Sequence, residues 1–410
     1  MDKLGLSPAD FGTYLRGLTT PGHKRVIHMH VLDLSDGSHL TSLTPKHLDG
    51  QVTFDTTAEV SRVLTCSVAD PKNALGFDPH DPSEAPLHYS RELRVIDSRY
   101  IDELDDWVDD PVFTGAIFNF NRDGGQVDLT AHGRERRGLA PAAVNSAHHF
   151  PKKSKITDAI RWLLASMGDV NAHVPDLAHT LPHDLTIHPL DQAWPHVKHL
   201  AASLDQYVFY DGAGRFQMRP HSQRPVFNFH RAILGNVAVA RTVDGFFNTY
   251  LVLGPKPHAP KKRVSGTATL GDPPPAPVKA GQASRKRVTG TAVIDGTLSP
   301  ADLSRNGVGL HLVSKVERQH LKTNAQAQKI ANRLLREHAT TRTDLTFDSM
   351  PVPPLEEHDM VSVTDDSFGT ARLRMRQWVL PLSGGDAMAS DGAPMSVGTV
   401  KRTTKARLRK

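Results

Sequence analysis

Residues Gly50 to Pro71 read GQVTFDTTAEVSRVLTCSVADP, and the two halves of this stretch alternate as paired strands do. Val52 and Phe54 point one way, while Gln51, Thr53 and Asp55 point the other. After a short polar turn, Val60, Arg62, Leu64, Cys66 and Val68 share one face, and Ser61, Val63, Thr65 and Ser67 share the opposite one. A period of two in a run rich in Val and Thr, stopped by Asp70-Pro71, specifies a β-hairpin with Val52, Phe54, Leu64 and Val68 turned to a core. No residue of this hairpin has a chemical task. The polar face is left to solvent, a channel or a neighbour.

Working outward, residues 26–148 continue as short strands. Val31-Leu32-Asp33-Leu34 leads into the turn Ser35-Asp36-Gly37. Leu93 to Val95, Val112 to Phe120 and Gln126 to Ala131 follow, the last two joined by Asn121-Arg122-Asp123-Gly124-Gly125. Closely spaced strands with turn signals indicate an antiparallel barrel or sandwich. Residues 1–25 read as an N-terminal arm with one short helix over Asp10–Leu18.

The period changes at about residue 149. Ile156, Ala159, Ile160, Leu163, Leu164 and Met167 form one helical stripe ending at Gly168, and Val197, Leu200, Ala201 and Leu204 form another. With the hairpin Tyr207–Tyr210, Asp211–Gly214 and Arg215–Arg219, they make an α+β module over 149–224. Strands return over 225–382: Val226–His230, Phe246–Leu253, Leu345–Phe347, Met360–Val363 and Ala371–Leu380. A helix on Ala327, Ile330, Ala331 and Leu334, capped by Asn324, lies among them. Within 255–294, KKRVSGTATL (Lys261–Leu270) is echoed by RKRVTGTAVI (Arg285–Ile294) across a Pro- and Gly-rich linker, which reads as a local duplication or as coincidence in a biased segment. Residues 383–410 lack an apolar period and read as a basic C-terminal tail, disordered unless a neighbour holds it. The fold class is therefore α+β and β-rich, in several domains.

The chain of 410 residues has a formal net charge of +5, with one cysteine and 23 histidines. No apolar run is long enough for a membrane span, and the first residues lack a signal-peptide pattern. Cys66 shares the inward face with Leu64 and Val68 and reads as an inert buried thiol. His28-Met29-His30, His196 and His199 offer no third metal ligand at a useful spacing, and HExxH is absent. Neither GxGxxG after a strand, nor a phosphate-binding loop, nor GxSxG appears. No catalytic residue, cofactor or metal site is assigned.

Charge clusters are the remaining candidates. Asp102, Glu103, Asp105, Asp106, Asp109 and Asp110 crowd one segment, which reads as an acidic surface loop. Arg372, Arg374 and Arg376 line one face of a strand whose other face carries Leu373, Met375 and Val379. That arginine face is either solvated or set against an acidic partner or anion. Lys401, Arg402, Lys405, Arg407, Arg409 and Lys410 are likewise either a solvated tail or a contact for an acidic partner or nucleic acid.

Taken in order, HLDGQVTFDTTAEVSRVLTCSVADP, the strands through Gly115-Ala116-Ile117-Phe118, ITDAIRWLLASMG, QYVFYDGAGRFQMRP, FNTYLVLGP, AQAQKIANRLLREH, Met350–Leu355 and His358–Val361 resemble the tail hub, or minor tail protein, of long-tailed bacteriophages, especially those of actinobacterial hosts. That family is similar to the central baseplate hub of contractile-tailed phages. The resemblance implies two β-barrel domains related to the tail tube protein with smaller domains between them. It also implies a homotrimeric ring that joins the hexameric tube to the tail tip and lines the DNA exit channel. Implied partners are the tail tube, distal tail, tape-measure and tip proteins, with DNA only in transit and no membrane span. The implied location is the virion tail tip, after assembly in the host cytoplasm. The acidic segment becomes a candidate lumen or subunit contact, and the arginine face and basic tail become candidate docking surfaces. The chain is expected to lack the peptidase or lysozyme-like extension of some hubs and to be no enzyme. The duplicated basic strand departs from the family pattern. A tail-tip hydrolase or peptidase, and a nucleic-acid-binding protein acting through the basic tail, are the alternatives.

Overall fold

A computed structural model describes residues 4–20, 24–34, 37–43, 48–70, 91–139, 144, 146–222, 224–242, 249–254, 289–293, 313–318, 321, 323–338, 342–366, 368–384 and 386–397. The protein is β-rich α+β, in two compact units: residues 1–246 with 336–410, and residues 247–335.

The first unit is built on a thirteen-stranded sheet. The opening hairpin lies inside it as strands Leu48–Asp55 and Arg62–Ala69, paired Val52↔Leu64 and Phe54↔Arg62. Val52, Phe54, Leu64, Cys66 and Val68 are buried in one core, as the alternation requires, and Val60 is half-buried. On one side the sheet continues through Gln126–Gly133, Asp106–Asp123, Arg91–Ile101 and Arg25–Asp33 to an edge at His39–Leu43. The turn between Asp123 and Gln126 is Gly124-Gly125, with Gly124 at φ 57, which only glycine adopts cheaply.

On its other side the hairpin pairs with the strand Gly369–Pro381, through Trp378↔Phe54 and Leu380↔Val52. Beyond it come Met388–Val397, Arg342–Ser349 and the second edge, Leu234–Thr242; Met360–Asp365 and the short Phe227–Phe229 branch off. Strands from both ends of the sequence thus share one hydrogen-bonded sheet. Trp378 and Phe54 seal the seam with stacked rings 4.4 Å apart. Val379 is half-buried rather than beside Leu373 and Met375. A bulge between Met375 and Gln377 shifts the alternation by one, so Trp378 and Leu380 turn inward.

Two expectations about the chain ends are corrected. The helix Pro8–Gly17, with Ser7 as its N-cap, is no free arm: Tyr14 and Leu18 are buried in the sheet core. Beyond Pro381 the chain forms the strand Met388–Val397, held between Gly369–Pro381 and Arg342–Ser349. Its small residues hid the period, yet Met388, Ser390 and Gly392 are buried while Ala389 is exposed.

The α+β module carries its own core within the first unit. Helices Ile156–Ser166 and Ala193–Ser203 bury every residue of the two stripes read from the sequence, with Trp194 added, against the hairpin Gln206–Tyr210 and Phe216–Pro220. The first helix ends at Gly168, φ 87.

In the second unit, Thr249–Leu253 pairs antiparallel with Thr289–Val293 and parallel with Val313–Glu317. The helix Asn324–His338 places Ala327, Ile330 and Ala331 in a core with Val252 and Leu321. Its cap is Thr323, not Asn324. Thr323 Oγ1 accepts from Gln326 N while Gln326 Oε1 accepts from Thr323 N, a reciprocal capping box, and Asn324 Oδ1 instead accepts from Thr289 N. Of the duplicated segments, Lys261–Leu270 lies outside the described residues, and the echo contains the strand Thr289–Val293.

Candidate assembly surfaces

The acidic segment is not a free loop: Asp102, Glu103 and Asp105 form the turn of a hairpin between Arg91–Ile101 and Asp106–Asp123, and Asp106, Asp109 and Asp110 lie on its second strand. Asp102, Glu103, Asp105, Asp106 and Asp109 are exposed, together with Trp107. The turn is well ordered by its own bonds: Leu104 N donates to Ile101 O, Asp105 takes φ 51, and the Tyr100 hydroxyl donates to Asp105. Asp110 departs from the surface reading, since it is fully buried and accepts from the Tyr14 hydroxyl. Burial, then the Asp110 charge, push the Tyr14 phenol well above its ordinary pKa. Behind the turn, Asp97 bridges Arg25 and Arg99. Burial opposes its charge, yet the two guanidiniums outweigh it and hold the carboxyl below its usual value.

Arg372, Arg374 and Arg376 do share an outward face. Arg372 is exposed, Arg374 bonds His221 Nδ1 at 3.0 Å, and Arg376 pairs with Asp391 at 3.4 Å. Their strand is separated from the acidic strand Asp106–Asp123 by Leu48–Asp55, Arg62–Ala69 and Gln126–Gly133, so the sheet does not bring the two clusters together. Lys401, Arg402, Lys405, Arg407, Arg409 and Lys410 lie outside the described residues.

Two features were missed by sequence reasoning. The first is a buried ionic junction at the seam. Arg62, on the inward face of the opening hairpin, donates to Glu356 Oε2 at 2.6 Å and to Val112 O at 3.0 Å, and approaches Glu357 at 3.5 Å. Its guanidinium lies over the Phe54 ring at 4.7 Å. Glu135 is buried beside it, accepting from Ser61 and from the Arg62 backbone, and Glu356 Oε1 also accepts from Gly212 N in the module's hairpin turn. Burial pushes the Glu357 carboxyl upward; Arg62 pulls the other way. A lone arginine in an apolar alternation was the available signal, because a charge at a core position requires a buried partner. The second is an exposed aromatic, Phe118, thrown outward by a bulge between Ile117 and Asn119. Bulges have no single-sequence signature.

Both edge strands are unpaired on their outer side among the described residues. On Leu234–Thr242, Gly235, Asn236, Ala238 and Val239 are exposed. A groove of about 280 Å³ beside it is lined by Asn236, Ala238, Phe347, Trp378 and Ser390. No group of three His, Cys, Asp or Glu suited to a metal occurs among the described residues. An unpaired strand edge and an exposed charge cluster are the features of this surface that association could use.

The architecture has known counterparts. A tail protein from Neisseria meningitidis superposes with a TM-score of 0.55 at 14% identity, covering 90% of this chain and 96% of that one. The 43 kDa tail protein of prophage MuSo2 from Shewanella oneidensis gives 0.55 at 10% identity, covering 90% and 98%. The fold is that of phage tail proteins. The resemblance to the tail hub read from the sequence therefore holds at the level of fold. The tail-protein fold also extends to a chain of the Francisella PdpA–VgrG complex, with a TM-score of 0.50 at 8% identity over 91% of this chain and 53% of that one. No protein-family model matches the chain, and no curated protein matches it in sequence.

Proposed function

We propose that this protein is a structural, non-enzymatic component of a phage tail: the hub, a homotrimeric ring joining the hexameric tail tube to the tip. In this reading residues 26–148 and 225–382 contribute the two tube-like barrels and 149–224 the inserted module. DNA passes through the ring in transit. Tail tube, distal tail, tape-measure and tip proteins are its neighbours at the virion tail tip. Arg372, Arg374 and Arg376 and the basic tail face acidic surfaces of those neighbours.

The observation that carries the reading is one sheet whose two ends are unpaired among the described residues. It runs from His39–Leu43 to Leu234–Thr242 through both halves of the chain. Most of the second edge is apolar or small: residues 235–240, GNVAVA, contain no charge and no proline between a bulge at Leu234/Val237 and Arg241, and Leu40 is exposed on the short edge at the other end. Such an edge is a template for strand addition, and pairing one end with the unlike end of the next copy generates a ring when the rotation closes. The fold shared with tail proteins over nine-tenths of the chain fits that use.

Negative-stain imaging and mass photometry of the purified full chain test the proposal, with gold-labelled antibody on tailed particles as the second arm. Three-copy rings, and label at the tail tip, are expected. A monomer at every attainable concentration, with no label on particles, overturns it.

A further inference from the structure

The outward-thrown Phe118 does not stand alone. It is 50% exposed, and the His132 ring stacks on it at 4.1 Å with 11° between the planes. The Arg136 guanidinium lies 5.2 Å from the Phe118 ring centre. The neighbouring arginines are committed inward, Arg134 to Glu92 at 2.7 Å and Arg137 to Glu92 at 2.5 Å. Arg136 is exposed and pairs with no carboxylate among the described residues, and His132 Nδ1 has no hydrogen-bond partner there. The result is a cationic aromatic platform, with Phe118 and His132 on paired strands and Arg136 on the short 3-10 turn Arg134–Leu139 that follows. Aromatic and arginine side chains gathered in this way are what dominate protein interfaces.

The complementary surface is on the same molecule. The hairpin turn after Ile101 presents Asp102, Glu103, Asp105 and Asp106 with Trp107, which is 42% exposed, and the Tyr100 and Trp107 rings meet at 5.8 Å. The turn is held in shape before any contact by the Tyr100–Asp105 bond and the left-handed Asp105. Such pre-ordering lowers the cost of association. Trp107 and Phe118 lie on one strand, Asp106–Asp123, at a span of roughly 35 Å for about 3.3 Å per residue. A strand in a sheet does not fold back on itself, so the two patches of one copy cannot meet.

We infer that Phe118, His132 and Arg136 form a docking platform for the acidic, Trp107-bearing hairpin turn of a second copy of this chain. The contact is head-to-tail, with unlike surfaces meeting, and it propagates around a ring. It rests on the self-assembly proposed above and adds to it a side-chain contact carried by interior strands: the aromatic pair supplies buried area, and the charges set orientation and approach rate.

The test uses the full chain in sedimentation velocity at low and high salt. Arg136→Glu, and separately Asp102→Lys with Asp106→Lys, are each expected to weaken association by about tenfold or more. Both act at exposed positions, so the thermal melt stays that of the wild type. Joining all three changes in one chain sets opposite charges face to face again, although Glu103 and Asp105 stay acidic, and lifts association above that of Arg136→Glu alone. Phe118→Ser weakens it without changing the salt dependence. If the wild type forms rings and all these variants match it, or if the charge swap fails to rescue, the docking inference is wrong and the hub proposal stands. If the wild type remains monomeric, both fall.

Discussion

Arg62 offers the sharpest test of how the two ends of the chain are held together. Replacing it with Met keeps most of the volume above Phe54 but removes the guanidinium that bonds Glu356 and Val112 O and faces Glu357. All three charged side chains are nearly inaccessible to water. Breaking a buried pair from one side costs about 3–5 kcal/mol, because the partner charge is stranded. Arg62→Met therefore lowers the urea midpoint of the first unit. The companion variant, Arg62→Met with Glu356→Gln and Glu357→Gln, recovers much of the loss, since the stranded charges are gone.

The pH dependence adds a second readout. Burial already raises the Glu357 carboxyl to about 8 in the folded chain, and without the arginine its folded-state pKa rises further above the unfolded value. A carboxyl with a raised folded pKa contributes stability below the unfolded pKa and loses it as pH rises through the folded one. The single variant is thus closest to wild type in mild acid and falls furthest behind it in mild alkali. Unchanged urea midpoints in Arg62→Met, a triple variant no better than the single one, or a deficit that grows on acidification would each refute the reasoning.

Three further outcomes are expected. His358 is hemmed in by Tyr207, and burial, then Arg374 and Lys198, lower its pKa to about 3. Because the unfolded chain binds the proton first, stability falls as the pH drops from about 6.5 to 3, by about 1.4 kcal/mol per pH unit, and His358→Asn flattens that slope in acid titrations followed by tryptophan fluorescence. At Gly212 an added Cβ would sit 1.8 Å from the Pro111 carbonyl oxygen, so Gly212→Ala forces the module's turn off the long strand; a lowered melting temperature and early proteolysis within 149–224 check it. Cys66 is 2% exposed and burial raises its thiol to about 12, so it resists a thiol reagent in native buffer and reacts in stoichiometric amount in urea.

Legibility from sequence followed the strength of local signals. The opening hairpin, both helix stripes of the module and the core identities Val52, Phe54, Leu64 and Val68 were readable because each repeats a period over several residues. The strand Met388–Val397 was not, since MASDGAPMSV is an acceptable strand only between two others that supply the side chains it lacks. Val379 and Phe118 were misplaced or overlooked for one shared reason: a bulge resets alternation, and only the register with a partner strand reveals it. Among the candidate surfaces, the acidic turn and the arginine face were visible as charge. Their separation by three strands, and the commitment of Asp110, Arg374 and Arg376 to internal partners, belong to the tertiary fold.

The seam at Phe54 and Trp378 also governs the order in which this molecule can be made. Gln377 pairs with Asp55, so the strand Leu48–Asp55 leaves the ribosome long before its second neighbour exists. Until Gly369–Pro381 arrives, one backbone edge of Leu48–Asp55 and the Phe54 ring face water, in a pairing of very high sequence separation. A truncated or stalled chain would carry that raw edge permanently. Synthesis is therefore the stage at which this inner edge is exposed to wrong partners, and completion of the later strands is what covers it.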